Sequence, residues 1–159
     1  MSISKSAIII GHTGAGVVKN FISTTVIIGT AFILGFRPTA GLLDWLIVVL
    51  LLALVNIAIT LLAVLCGLLS KTLEGSSGLM FPLFILPFIS SGFAPVDTMA
   101  GAIRWFAEIQ PMTPIIDSIR ALTLGLPLGN SLWIALAWCI GIIITAFAAS
   151  LCTYERRFA

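Results

Sequence analysis

The first stretch of the chain whose residue types could do chemistry is Gly11-His12-Thr13-Gly14-Ala15-Gly16, which follows three isoleucines. Glycines at that density can cradle a phosphate with main-chain N–H groups, but the spacing is wrong. A Walker loop needs Lys directly after its last Gly, where Val17 stands, and Lys19 comes too late; the dinucleotide fingerprint needs Gly where Lys19 is. The segment is read instead as a flexible entry into a first span, with small residues for close packing. Hydrolysis requires a nucleophile, a base and an orienting group within reach. The lone His12 is far in sequence from the acids Asp97, Glu108 and Asp117 and is read as a surface residue. Cys66, Cys139 and Cys152 lie in or at the end of apolar runs, where a thiol behaves as a small hydrophobe, so neither a disulfide nor a metal site is expected. Asn56 and Thr60, one helical turn apart, could line a polar path, but interhelical hydrogen bonding is the favoured reading. No ionisable residue falls near the centre of an apolar run, so a proton relay or voltage sensor has no seat. No catalytic residue, cofactor or metal is expected, and the chain is not read as an enzyme.

The elements that must carry these residues follow from composition. Of 159 residues, 60% are hydrophobic and 9% are charged, against roughly 25% charged in ordinary soluble domains. Such a chain cannot cover itself with polar surface, and its long apolar runs match a bilayer core of about 30 Å. Eight Lys/Arg against six Asp/Glu leave a net charge of +2, too small for a phosphate-binding stripe, so nucleic acid is not an expected partner. The N-terminus makes a poor signal peptide because its apolar stretch is short and ends in Gly and His. The fold class expected is all-α: a polytopic membrane bundle of about four transmembrane helices plus two short outer amphipathic helices.

The spans are placed at about 17–36, 42–69, 79–94 and 132–151. Gly35, Arg37, Pro38, Thr39 and Gly41 make the first turn, and 70–78 is a polar Gly/Ser-rich loop. The third apolar run carries Pro82 and Pro87 before Ser90-Ser91-Gly92, so a broken helix buried against partners is expected. Between 95 and 130 the pattern turns amphipathic. Met99, Ile103, Phe106 and Ile109 recur at helical spacing, with Arg104 and Glu108 one turn apart on another face. A second short helix is expected to start at Thr113-Pro114, with Asp117 and Arg120 as its charged pair. In the last span Ala137, Gly141, Thr145 and Ala149 form a small-residue ridge, read as packing surface. Four spans put both termini on one side with Lys5, Lys19, Lys71, Arg156 and Arg157, leaving Arg37, Arg104 and Arg120 on the other. The positive-inside rule then makes the termini cytoplasmic and the amphipathic pair external.

Three stretches carry a resemblance: Phe81 to Met99 with its Pro-broken span ending in Ser-Ser-Gly-Phe-Ala-Pro, Trp105 to Pro114 with a Gln-Pro-Met-Thr-Pro core, and Asp117 to Gly125. Together with Phe36-Arg-Pro-Thr-Ala-Gly and Lys71-Thr-Leu-Glu-Gly, they resemble ABC-2 type transporter permeases of the multidrug or daunorubicin-resistance exporter kind. One departure is Ala100, where many relatives have Pro. The resemblance implies six spans per subunit, pairing as dimers in membrane lipid, and a separate cytoplasmic ABC ATPase. It also makes Ile3, Ser4, Lys5 and Ser6 the end of an ATPase-coupling segment, so that the family's first two spans are not in this chain. Pro82, Pro87, Ser90, Ser91 and Gly92 become an outer gate, and Asp97, Arg104, Glu108, Asp117 and Arg120 belong to the outer amphipathic helices. Two functions follow as expectations: a permease subunit exporting a hydrophobic or lipid-like compound when its partner hydrolyses ATP, or a non-transporting scaffold or inactive remnant that only associates with other helices.

Overall fold

The computed structural model describes the backbone of residues 5–70 and 72–158, with side chains at 11, 14–70, 72, 74–96 and 98–154. Six α-helices run in order: α1 (Lys5–Ile33), α2 (Leu42–Leu69), α3 (Leu73–Ile85), α4 (Gly101–Ile109), α5 (Met112–Leu124) and α6 (Ser131–Phe158). Short 3₁₀ turns occupy Leu86–Ile89 and Val96–Thr98, and there is no strand among the described residues. Gly14–Ile33, Leu42–Leu69 and Ser131–Tyr154 are long and apolar enough to cross a membrane. The chain is thus a membrane helical bundle. The other apolar segment, Glu74–Ile89, is shorter.

Local chemistry sets the helix ends. At the end of α1 the Phe36 N–H reaches Ala31 O at 3.0 Å and the Gly35 N–H reaches Phe32 O at 3.1 Å. This Schellman pair needs a left-handed residue, and Gly35 has φ 97°. The start of α2 is closed by Asp44, whose Oδ2 accepts the Gly41 N–H at 2.9 Å, the reciprocal half of a capping box. Thr72 caps α3: its Oγ1 accepts the Gly75 N–H at 3.1 Å, and Glu74 favours the positive end of the helix dipole. α3 therefore takes in Glu74 to Gly78, which the Gly/Ser-rich composition assigns to a loop. α1 likewise runs through Gly11 to Gly16, so the expected flexible entry is helical.

The chain divides into two compact units. One comprises the described parts of Met1–Arg37, Leu52–Gly78 and Ile140–Ala159. Its core centres on Leu61 of α2 and Ala146 of α6, with Ile57, Val64, Phe147 and Leu151 around them. α1 meets α2 at a close approach, where a Cβ on Gly16 would stand 2.9 Å from Thr60 Cγ2. Beside it Asn20 Nδ2 donates to Asn56 Oδ1 at 2.8 Å, and Asn56 Nδ2 donates to Val17 O at 3.3 Å. Asn56 is interhelical glue, and Thr60 bonds back to Asn56 O within its own helix at 2.7 Å.

The second unit comprises Pro38–Leu51 and Leu79–Cys139. α5 is its centre, with Thr113, Pro114, Ile115, Ser118, Ala121, Leu122 and Thr123 buried. α5 begins at Met112 and has no side-chain cap. The expected cap at Thr113 with Pro114 first in the helix is thus two residues late, the cap position being Pro111; Pro114 still lies in the first turn, where its missing N–H leaves no ladder bond unmade. Left-handed Gly125 (φ 65°) ends α5 and lets the Leu126 N–H reach Ala121 O at 2.9 Å. Next to it the Thr39 N–H donates to Thr123 O at 3.1 Å.

Along α6 the buried small residues are Ala135, Cys139, Ala146 and Ser150. The ridge read from sequence lies on another face: Ala137, Gly141 and Thr145 are exposed, and nothing comes within 4 Å of where a Gly141 Cβ would be. The ridge positions stand one or two residues from the buried ones, and one or two residues along a helix turn the side chain through about 100° or 200°, which takes it off the buried face.

Candidate functional site

The residues gathered most closely are those of the elbow that succeeds α3. Pro82 lies inside α3 without ending it. Pro87 is different: it sits in the first turn of the 3₁₀ segment that replaces the α-ladder after Ile85, where a residue lacking N–H cannot propagate the helix. The chain then leaves the helical region at Ser90 (φ −108°, ψ 174°). The Ser90 hydroxyl fixes the path from Pro87 to Gly92, donating to Pro87 O at 2.5 Å and accepting the Gly92 N–H at 3.2 Å. Phe88 and Phe93 stack across the turn with ring centroids 5.0 Å apart. A Cβ on Gly92 would meet Ile116 Cδ1 at 3.1 Å and Ser90 Oγ at 3.2 Å, so glycine permits this close seat on α5.

Two side chains tie the elbow down. Gln110 ends α4, its backbone extended (φ −63°, ψ 153°) as suits a residue before proline. Its Nε2 donates to Ile89 O at 2.8 Å, with Thr113 Oγ1 a weaker second acceptor at 3.5 Å. Arg120, on α5, donates from Nη2 to Ser91 O at 2.8 Å, while its Nη1 lies 3.6 Å from Asp117 Oδ1. Ser90, Ser91 and Gln110 are 0%, 5% and 3% exposed. In this otherwise satisfied setting Ser91 Oγ and Gln110 Oε1 are buried without a hydrogen-bond partner.

Of the residues picked from sequence, the structure thus brings Pro87, Ser90, Ser91, Gly92, Asp117 and Arg120 together. Arg104 and Glu108 form a separate i,i+4 pair at 2.8 Å on α4, both about half exposed. Lys5 and Ser6 open α1, with side chains outside the described residues, as is that of Asp97 in the Val96–Thr98 turn; Ile3 and Ser4 lie outside altogether. From sequence Thr113 is read only as a helix start and Gln110 only as part of the Gln-Pro-Met-Thr-Pro core, and Ile116 carries no reading; none of the three is expected at the elbow. The available signal was that Gln110 is the chain's single glutamine and stands between two short helices before a proline.

The two short helices differ in setting. α5 buries seven of its 13 residues, whereas α4 buries Ala107 alone and leaves Ile103, Trp105, Phe106 and Ile109 exposed. Around the α4 axis these four apolar positions fall on one side and Arg104 with Glu108 on the other, the pattern of a helix lying at an apolar boundary. Among the described residues no group of three or more His, Cys, Asp or Glu could hold a metal ion.

A family model described as ABC-2 type transporter matches residues 1–124. The chain belongs to that family. Similar curated proteins include two described as "Probable doxorubicin resistance ABC transporter permease protein DrrC", from Mycobacterium tuberculosis strains CDC 1551 / Oshkosh and ATCC 25618 / H37Rv. Each is 24% identical over 156 residues, which is 98% of this ABC-2 family chain and 56% of the relative. The chain therefore spans about half the length of the curated relatives it matches. No solved structure matches it.

Proposed function

We propose that the chain is the membrane permease part of an ATP-driven exporter that moves a hydrophobic or lipid-like compound outward, with ATP hydrolysed by a separate cytoplasmic ABC ATPase. The observation that carries this reading is the ABC-2 match over residues 1–124 on a chain with three membrane-length apolar helices among its described residues. The doxorubicin resistance named for the relatives supports an amphipathic, largely apolar cargo. In this reading the termini are cytoplasmic, residues 3–6 contact the ATPase, a second permease subunit completes the pathway, and the elbow with α4 and α5 lies on the outer side. α4 then rests its exposed Ile103, Trp105, Phe106 and Ile109 on outer-leaflet lipid, with Arg104 and Glu108 at headgroup level.

Co-purification followed by transport tests the proposal. The chain, co-expressed with a candidate cytoplasmic ABC ATPase subunit, is expected to retain that subunit through purification. Inside-out vesicles carrying both are expected to accumulate doxorubicin only when ATP is hydrolysed. A chain that inserts and pairs with helices but neither retains an ATPase nor supports ATP-dependent uptake is a scaffold or remnant, and the permease reading then fails.

A further inference from the structure

We propose that Gln110 and Arg120 are positioning residues that form a two-point latch: they hold the elbow at 86–92 against α5, and the elbow opens by giving up both bonds. The acceptors are main-chain carbonyls on either side of Ser90, Ile89 O and Ser91 O. The donors flank and sit on α5, one just before Met112 and one at position 120. Ser90's own bonds stay within the elbow; they give it shape but do not attach it. The contact of Gly92 against Ile116 is apolar and non-directional.

The same site holds the reason for release. Buried polar groups are ordinarily paired, yet Ser91 Oγ and Gln110 Oε1 have no partner. Each unpaired group raises the free energy of the closed arrangement and recovers a partner as soon as water enters. A fully satisfied knot would resist opening; this one is held by two directional bonds and opposed by two orphans. That balance leaves the closed arrangement less tightly held than a fully paired one would be. Its use in substrate exit rests on the transport reading above, whereas the latch itself does not.

The test reads Ser91. Ser91→Cys is nearly isosteric and, because Ser91 Oγ has no partner, it removes no bond. In a Cys66→Ala/Cys152→Ala background the purified chain in nanodiscs is exposed to a water-soluble maleimide, with buried Cys139 reporting loss of fold and Thr98→Cys serving as an exposed reference. Labelling at position 91 is expected to be slow. Each of Gln110→Met and Arg120→Met is expected to speed it about two- to tenfold, the worth of one net hydrogen bond, and the double variant to speed it by roughly the product. Arg120→Lys, which keeps a donor cation, is expected to recover part of the protection. Cys139 and the rate at Thr98→Cys stay unchanged throughout. Unchanged labelling at 91 in both single variants and the double overturns the latch. Should Gln110→Met also expose Cys139, the Arg120 series decides alone: that side chain is about half exposed, and equal rates for Arg, Lys and Met overturn the proposal. The readout uses neither ATPase nor substrate, so its failure leaves the transport reading standing, and a failed transport assay leaves the latch standing.

Discussion

At the scale of single residues, the positions that matter most are those where a missing atom or a single amide decides the packing. Gly16 is one. Helix association in a bilayer is driven by close packing and interhelical hydrogen bonds rather than by the hydrophobic effect, and Gly16 lets α1 approach Thr60 while Asn20 and Asn56 bond beside it. Gly16→Ala places a Cβ 2.9 Å from Thr60 Cγ2. Thr60 cannot simply turn away, because its hydroxyl is held by Asn56 O at 2.7 Å. The substitution should lower stability by about 1–3 kcal/mol, the usual cost of overpacking, despite the better helix propensity of Ala. Thr60→Ser removes the offending methyl and keeps the hydroxyl, so it should restore most of the loss. Thermal unfolding of the single and double variants in detergent checks this, and equal midpoints for wild type and Gly16→Ala would dismiss the close approach. Asn56→Leu should cost about 0.5–2 kcal/mol in the same assay, the range for interhelical hydrogen bonds in membranes.

At the scale of elements, proline and glycine in the same stretch act differently according to what surrounds them. Pro82 and Pro87 look alike in sequence, but α3 continues through the first and gives way near the second. Pro82→Ala supplies an N–H inside an existing helix and should stabilise it by as much as about 3 kcal/mol, with labelling at Ser91→Cys unchanged. Pro87→Ala should let the α-ladder extend toward Ser90, pull Ile89 O away from Gln110 and raise labelling at position 91. Equal behaviour of the two variants would show that the elbow does not depend on where the ladder stops. Gly125 is the other such point: with φ 65° and Thr39 Oγ1 3.2 Å from where its Cβ would be, Gly125→Ala should destabilise by about 1–2 kcal/mol, readable as a lower unfolding midpoint. The turn at Gly35-Pro38, the apolar length of α2 and the i,i+3 and i,i+4 charge pairs were legible in sequence because each depends on neighbours along the chain. The helical start of α3, the face α6 buries and the tie between Gln110 and Ile89 were not, because each is decided by a cap or a contact that composition does not encode. Separating α4 from α5 was likewise out of reach: both read as amphipathic, and only packing buries one and leaves the other exposed.

At the scale of the whole molecule, the topology turns on whether the third apolar segment crosses the membrane. The cation count that places both termini inside assumes that the apolar segment Glu74–Ile89 carries the chain across the membrane even though α3 itself has 13 residues. That is about 20 Å of helix, short of a core of about 30 Å. The 3₁₀ turn and the elbow must then lie within the membrane, and non-helical backbone is tolerated there only where protein or a water-lined cavity satisfies it. Burial of Ser90, Ser91 and Gln110, and donation to Ile89 O and Ser91 O, meet that condition. Position 98 should then be external and position 77 cytoplasmic, and both are exposed on the protein. In a chain with its native cysteines replaced by alanine, a membrane-impermeant maleimide added to intact cells should modify Thr98→Cys and leave Ser77→Cys unmodified until the membrane is opened. Modification of Ser77→Cys alone would invert the topology. Modification of both from outside would mean that Glu74–Ile89 enters and leaves on one face, which would put the elbow on the same side as Ser77 and remove the structural basis for an outer gate.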